Sequence, residues 1–377
     1  MEFAFSDEQE MLRDTARRFL ETAASSDAVR TVMETEEGFD PDVWSSMADL
    51  GWQAMAIPEE HGGAGFSFVE MAILVEEMGR VLLPTPYLSS VVLAAGLIAD
   101  LGTDDQKAEL LGSIASGERR VAVAHLESGD WGASGVEMVA REDGAELVLD
   151  GTKSYVLDGH TADTLLVVAR SEGSAGSDGV SVVVVDGDAA GVSRTRVETM
   201  DMTRKQATVV FDGVRVPASA VLGEAGSAWP AIERTLDRAA VALAFEQVGG
   251  AQRCLEMSVD YAKTRVQFGR PIGSFQAVKH TCADMLVHVE AAKTAAYYAG
   301  WAITDDDSDV PIAVTLAKTT CSEAFFRCAA DTIQVHGGIG FTWEHDAHLY
   351  LKRAKTDELL FGAPSLYRAR LAQLLGV

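Results

Sequence analysis

Two periods of apolar residues divide this chain. From Ser6 to about residue 118, apolar side chains recur every three or four positions: Met11, Leu12, Ala16, Phe19 and Leu20, then Ile73, Leu74 and Met78, then Leu110 and Leu111. That is the period of helices with one buried face. Their starts are signalled too. Ser6 with Gln9, Ser67 with Glu70 and Thr103 with Gln106 each place an N-cap hydroxyl three residues before an amide or carboxylate. Asp40-Pro41 puts proline at a first helical position. From Arg119 to about residue 222 the pattern becomes alternating or short β-branched blocks, such as VAVAHLE, ELVLD, TLLVVAR and VSVVVVD. Asp-Gly pairs at 143–144, 150–151, 158–159, 178–179 and 212–213 punctuate them. This predicts a compact antiparallel β domain, a barrel or sandwich, with EGSAGSDG (172–179) as its flexible loop. From Trp229 the helical period returns in four long segments, about 229–264, 274–304, 309–335 and 344–373, joined by short connections such as DDDSD. They predict an antiparallel bundle. The expected fold class is multi-domain α+β: an N-terminal all-α domain (1–118), a middle antiparallel β domain (119–222) and a C-terminal four-helix bundle (223–377).

Composition narrows the partners. A chain of 377 residues calls for two or three domains. Its 47% apolar and 23% charged content is that of a soluble globular protein. A net charge of −26 repels nucleic acid and anionic membranes, so neither is an expected partner. The N-terminus MEFAFSDEQE has no apolar run and is not read as a secretory leader. The runs VVLAAGLIA and DTLLVVAR are too short to span a bilayer. Cys254, Cys282, Cys321 and Cys328 form no CxxC pair and fall in helical stretches. They read as buried, reduced thiols of a cytoplasmic protein.

Candidate chemistry gathers at two Gly-containing breaks. In YAKTRVQFGRPIGSFQAVKH, Lys263 and Arg265 precede Gly269-Arg270-Pro271, and Ser274 reads as the N-cap of the next helix. A guanidinium fork and helix-start N–H groups together could hold an anion. Without a ligand, the same stretch is a helix–turn–helix connection with solvated charges. QVHGGIGF (334–341) is a second break after a long helix, where a backbone can approach a ligand closely. The two together point to a phosphate-bearing cofactor. Other motifs carry less. His61-Gly62-Gly63 has no Gly-x-Ser-x-Gly elbow to serve and reads as a loop. His336, His345 and His348, with Glu344 and Asp346, read as helix-start and solvated polar residues, so no metal is expected. No Gly-x-Gly-x-x-Gly follows a strand, so no nicotinamide site is indicated.

RVQFGRPIGSFQ and QVHGGIGF, in a chain ordered α, β, bundle, resemble the acyl-CoA dehydrogenase family. PEEHGGAG looks like that family's N-terminal loop, and LDGTKSYVLDG resembles its middle-domain flavin strand. The resemblance implies FAD as cofactor. It implies that Arg265 and Phe268 meet FAD near the pyrophosphate, with Gln276 beside them and Gln334, Gly337 and Gly338 on the same molecule. Tyr155 and Leu157 would lie on the flavin strand. In the family the first six positions reach the FAD of a neighbouring subunit, which implies a homotetramer, or a heterotetramer with a second family member. The implied reaction is α,β-dehydrogenation of an acyl-CoA thioester. A carboxylate takes the α proton, the β hydride passes to flavin, and the electrons go on to a flavoprotein acceptor.

Several positions depart from the family. Its common base is a glutamate before a glycine, where this chain has Phe361-Gly362; an alternative glutamate position falls at Ala239. The usual Trp-Ile-Thr of the flavin strand reads Tyr155-Val156-Leu157, and the usual Thr-Glu reads Leu126-Glu127. Glu246 interrupts the apolar stretch AAVALAFEQVGG on about the same face as Ala239, about 10 Å along the helix. An acid there is either functional or paired with a base on a neighbouring helix. Asp237, beside Arg238, is the second candidate base, with an exposed helical ion pair as its other reading. Glu344 reads as the cap of the last helix. Two functions stay open. One is a self-sufficient enzyme with Glu246 or Asp237 as base. The other is a non-catalytic, cofactor-supporting subunit of a heterotetramer, a type that in the family includes members acting on bulky sterol-derived thioesters. A flavin-free binding protein is a third reading, and it leaves Arg265 without a purpose.

Overall fold

A computed structural model describes residues 5–377. Residues 1–4, on which the leader reading partly rests, lie outside the described residues. In chain order the helices α1 (Asp7–Ala23), α2 (Ser26–Met33), α3 (Pro41–Asp49) and α4 (Phe68–Val81) come first. A π-helical segment, Leu88–Ala95, runs into α5 (Gly96–Leu101) and is followed by α6 (Asp104–Ala115). Then come β1 (Val121–Ala124), β2 (Ala140–Asp143), β3 (Glu146–Leu157), β4 (Thr164–Arg170), β5 (Val180–Asp186), β6 (Val192–Val197) and β7 (Gln206–Pro217). The remainder is α7 (Trp229–Thr264), the short strands β8 (Val266–Gln267) and β9 (Arg270–Pro271), α8 (Gln276–Thr304), α9 (Val310–His336), α10 (Ala347–Leu359) and α11 (Pro364–Leu374). The three capping boxes and the Asp40 N-cap are formed as the sequence predicts.

By packing, the chain forms two compact units. One contains Val32–Phe66 and Pro84–Ala239. Its strands make a four-stranded antiparallel sheet, β2-β3-β7-β6, and a three-stranded sheet, β1-β4-β5. The expected antiparallel β layer is present, with one exception: β1 pairs with β4 in parallel. The long excursion through β2 and β3 between them supplies the crossover that a parallel pair requires. Leu149, Leu165, Val167, Val183, Val209 and Phe211 form the core of this layer. On β3 the register slips between Lys153 and Val156. Tyr155 sits in that slip at φ 51° and is 51% exposed. A bulge of this kind re-aims a side chain.

The other unit contains the residues up to Thr31, Ser67–Leu83 and Ala240–Val377. Its core is rich in alanine: Ala240, Ala244, Ala292, Ala296, Ala299, Ala313 and Ala317 pack around Phe245 and Cys321. Small residues let helices approach closely. A Cβ on Gly249 of α7 would lie 1.9 Å from the Glu76 carbonyl of α4, so only glycine fits. The fourth predicted segment, 344–373, is not one helix. It breaks between α10 and α11, where Phe361 (φ 60°) and Gly362 (φ 109°) turn the chain and Pro364 restarts it. Cys254, Cys321 and Cys328 are buried, Cys282 is partly exposed, and all four are free thiols. Burial pushes the Cys328 thiol up to about 12. Among the described residues no helix is long and apolar enough to cross a membrane.

Candidate functional site

The first break is a tight hairpin. β8 and β9 pair antiparallel around Phe268 and Gly269, both at positive φ (52° and 76°), which is the backbone of a two-residue primed turn. Asn or Gly is usual at the first of these positions. Phe268 instead holds a strained conformation and is 91% exposed. The Arg265 carbonyl accepts from Ile272 N at 2.8 Å, which fixes the hairpin to the end of α7. Arg265 itself is exposed, and its guanidinium has no ion-pair partner among the described residues. Ser274 is not the N-cap of α8, as the sequence suggested. It lies in a 3-10 turn, Ile272–Ser274, and α8 begins at Gln276 after Phe275. The Ser274 hydroxyl is left buried without a hydrogen-bond partner. Gln276 is exposed at the start of α8.

The second break follows His336. Gly337, at φ 63° and ψ −138°, occupies a conformation open only to glycine, and the 3-10 turn Gly337–Phe341 continues from it. Gln334, Gly337 and Gly338 are all exposed. A Cβ added at Gly337 or Gly338 would meet nothing within 4 Å. Packing within the chain therefore does not demand the second glycine. Two rungs bring the ends of α7 and α9 together. Ser258 Oγ donates to Thr332 Oγ1 at 3.1 Å, and one turn further on the Tyr261 and His336 rings stack at 4.4 Å. Arg265, Phe268, Gln276, Gln334, Gly337 and Gly338 thus share one end of the bundle.

The candidate acids lie elsewhere. Glu246 is 4% exposed, and Arg353 of α10, itself 1% exposed, donates from Nη1 to its Oε1 at 2.6 Å. This is the buried pairing that the sequence left as one of two readings. Nearby, Lys318 donates from Nζ to the Asp357 and Glu358 carbonyls at 2.5 and 3.3 Å, tying down the last turn of α10. Ala239 and Phe361 are buried and carry no acid. Asp237 is buried, so the ion pair expected for it is not an exposed one; its neighbour Arg238 pairs with Asp100 at 3.2 Å. Glu344 does not cap α10 either. The Ala347 N–H donates to His345 Nδ1 at 3.1 Å, and Asp346 holds Arg30 at 2.7 Å. Among the described residues no group of His, Cys, Asp or Glu is arranged to hold a metal.

Models of the N-terminal, middle and C-terminal domains of acyl-CoA dehydrogenases match residues 6–118, 128–214 and 226–375. The chain belongs to the acyl-CoA dehydrogenase family. It is 34% identical to the acyl-CoA dehydrogenase IpdE2 of Mycolicibacterium smegmatis over 97% of this chain and 98% of that one. Among solved structures it is similar to the steroid acyl-CoA dehydrogenase Tcur3481–Tcur3483 (33% identity, 98% of each chain, TM-score 0.87). It is also similar to the ChsE4–ChsE5 complex of Mycobacterium tuberculosis (29% identity, 100% and 99% covered, TM-score 0.90). The resemblance and the fold class read from the sequence are borne out. The chain is an FAD-dependent oxidoreductase of the acyl-CoA dehydrogenase class, or a subunit of one.

The two halves of this family member suit a flavin unequally. At the bundle end, a free guanidinium, an orphaned serine hydroxyl and two open glycines are the donor set that a pyrophosphate takes. On β3, Leu157 is buried and offers no hydroxyl, and Tyr155 is turned outward at the bulge. Beside them most polar groups are already used, although the buried His125 Nδ1 has no hydrogen-bond partner among the described residues. Glu127 Oε1 accepts from Lys153 Nζ at 2.5 Å and from the Glu137 and Met138 N–H groups at 3.1 Å. Burial holds the fully enclosed Lys153 below its usual range and, with the Lys153 charge, pushes His125 down to about 4. His125 stacks flat on Trp131 at 5.6 Å. Arg353 has no role in the sequence pattern as read, and Ser274 enters it only as a helix cap, not as a buried hydroxyl without a partner. Arg353 was findable: Leu349, Tyr350, Arg353, Ala354 and Asp357 share one helical face, and a base on an apolar face implies a buried acid opposite. Ser274 carries no such signal.

Proposed function

We propose that this chain is the cofactor-supporting subunit of a heterotetrameric acyl-CoA dehydrogenase, paired with a second family member that supplies the base. The observation that carries this reading is the Glu246–Arg353 pair. Glu246, the acid set in the apolar stretch of α7, is held at 2.6 Å by a buried guanidinium. A carboxylate held in a short, charge-assisted bond to a buried guanidinium is a poor proton acceptor, because the pairing favours its ionised form. Six positions at the far end of the bundle remain exposed and open. In this reading Arg265 grips pyrophosphate oxygens of FAD seated on the partner, with Gln276 and Gln334 donating beside it. Gly337 and Gly338 let backbone N–H groups approach, and Phe268 covers the cofactor from solvent. The flavin, when bound, takes up the β hydride of the substrate. Tyr155 and Leu157 are then remnants of a flavin strand, and Glu246 and Asp237 are structural.

The likeness to a steroid acyl-CoA dehydrogenase supports a bulky, sterol-derived CoA thioester as substrate. A flavoprotein acceptor, a cytoplasmic location and the division at residues 118 and 222 complete the proposal. The test is flavin absorbance per chain after purification with excess FAD. The expected result is none for the chain alone, and one flavin per two chains with its partner, lost in Arg265→Ala. One flavin per chain in the isolated protein would overturn the reading in favour of the self-sufficient enzyme.

A further inference from the structure

Three rings stand in file where α7, α9 and the turn before α10 meet. Tyr261, in the last turn of α7, stacks on His336, the last residue of α9, at 4.4 Å and 27°. His336 in turn faces His345 at 4.3 Å and 48°. Hydrogen bonds fix both tautomers. His336 Nδ1 lies 2.8 Å from the Thr332 carbonyl, which can only accept, so Nδ1 carries the proton. His345 Nδ1 accepts the Ala347 N–H, so its proton is on Nε2 and it caps α10. His345, whose Nδ1 accepts, is therefore neutral in this arrangement. Burial, and for His345 also the neighbouring His336, holds both below the usual histidine range.

The file has no partner in the acid network around Glu246. It does have an evident relation to the exposed end of the bundle. Arg265 lies four residues beyond Tyr261, and Gly337 directly follows His336. Helix ends are where backbone frays. One turn further in, the Ser258–Thr332 rung already joins the two helices. The ring file is the last fixed point before each break.

We propose that Tyr261 and His336 are positioning residues, which act through Arg265 and through Gly337-Gly338 by locking the ends of α7 and α9 in one register. The proposal rests on the reading that this end meets a flavin. It also explains a choice of residue. The Tyr261 hydroxyl makes no hydrogen bond among the described residues, so the ring alone is used.

The test uses the full chain in its flavin-loaded assembly. Tyr261→Ala is expected to raise the FAD dissociation constant about tenfold, the scale on which loosened support of a site acts. Tyr261→Phe, which keeps the ring, is expected to stay within about twofold. Hydrogen exchange on the chain as purified gives a readout independent of flavin: residues 265–272 and 333–341 should exchange faster in Tyr261→Ala and unchanged in Tyr261→Phe. Wild-type FAD affinity in Tyr261→Ala, or equal loss in both variants, overturns the proposal. If Tyr261→Ala does not assemble, Tyr261→Leu is compared by the same exchange, and unchanged rates in both segments overturn it. Arg265→Ala in the same assembly separates the two ideas. Flavin retained there defeats the underlying reading, whereas flavin lost there but held in Tyr261→Ala defeats the positioning role alone.

Discussion

Replacing Glu246 by Gln keeps shape and removes charge, and so asks whether this acid holds the bundle together or moves protons. Its carboxylate and the Arg353 guanidinium are 6% and 2% exposed as side chains and 2.6 Å apart. Removing one partner of a buried pair costs about 3–5 kcal/mol, because a charge-assisted bond is lost in the core. The amide oxygen can still accept one bond, which puts the expected loss near the low end, about 3 kcal/mol. In a unit of this size each kcal/mol moves the midpoint by about 2–4 °C, so the thermal midpoint should fall by roughly 6–12 °C. Calorimetry or circular dichroism on the purified chain reads this directly. The double replacement Glu246→Leu with Arg353→Met removes both charges and should recover most of the loss. Substrate-driven flavin reduction in the assembled enzyme should fall only as far as folded protein falls. A Glu246→Gln protein that melts within about 1 °C of the parent and yet reduces flavin a hundredfold more slowly would make Glu246 a catalytic base and not a structural acid.

The two glycines at the second break separate backbone from ligand. Gly337→Ala forces a left-handed conformation on alanine and should cost about 1–3 kcal/mol in a thermal melt. Gly338→Ala has no such strain and open space around it; it should melt within about 0.5 kcal/mol of the parent while weakening FAD binding in the assembly. Glu76 gives a pH signature. Burial raises its carboxyl to about 6, against the opposing pull of Arg13 and of the Tyr297 hydroxyl, while Glu77 adds to the rise. The folded chain therefore binds this proton more tightly than the unfolded one, and stability falls as pH rises from about 4.5 to 6. The shift corresponds to roughly 2 kcal/mol. Glu76→Gln should abolish that part of the pH dependence in denaturant titrations, and an unchanged slope would sink the assignment. Phe361→Glu places a carboxylate at the family's base position, in a buried site. It should destabilise the chain by about 3 kcal/mol or more and confer no flavin reduction on the chain alone. Turnover by that variant without a partner would argue for a self-sufficient site.

Helix starts were legible because each is written in two residues, such as Ser6 with Gln9, and the structure forms those bonds as read. The split of the last helix was not, although Phe361-Gly362-Ala363-Pro364 contains its cause. Gly then Pro ends and restarts a helix, but the apolar period runs on through Leu359 and Leu366 and hides the break. The parallel pairing of β1 with β4 leaves no local trace, because register between distant strands is decided by packing. Glu246 was visible as an anomaly, yet its meaning lay 107 residues away in Arg353. The ring file of Tyr261, His336 and His345 is likewise invisible in sequence, since its members come from three separate segments.

Three aromatic residues hold backbone conformations that ordinary side chains avoid: Tyr155 at φ 51°, Phe268 at 52° and Phe361 at 60°. Each costs of the order of 1–2 kcal/mol and persists only where its surroundings determine it. They fall on the three segments that the family resemblance ties to flavin and base: the middle-domain strand, the arginine hairpin and the turn before Gly362. At two of these places the side chains differ from the family pattern read in the sequence, with no hydroxyl at Leu157 on the strand and no carboxylate at Phe361 in the turn. The conformation at Phe361 is supported from within the bundle. Lys318 anchors the carbonyls just before it, and the Tyr367 hydroxyl donates to the Phe361 carbonyl at 3.0 Å, so the turn now serves the bundle itself. At Phe268 the internal support is the paired hairpin and an edge-on contact with the Phe275 ring at 6.0 Å, and the side chain is 91% exposed. A strained aromatic presented outward in this way is what the role proposed above for Phe268, covering a cofactor held by another subunit, calls for.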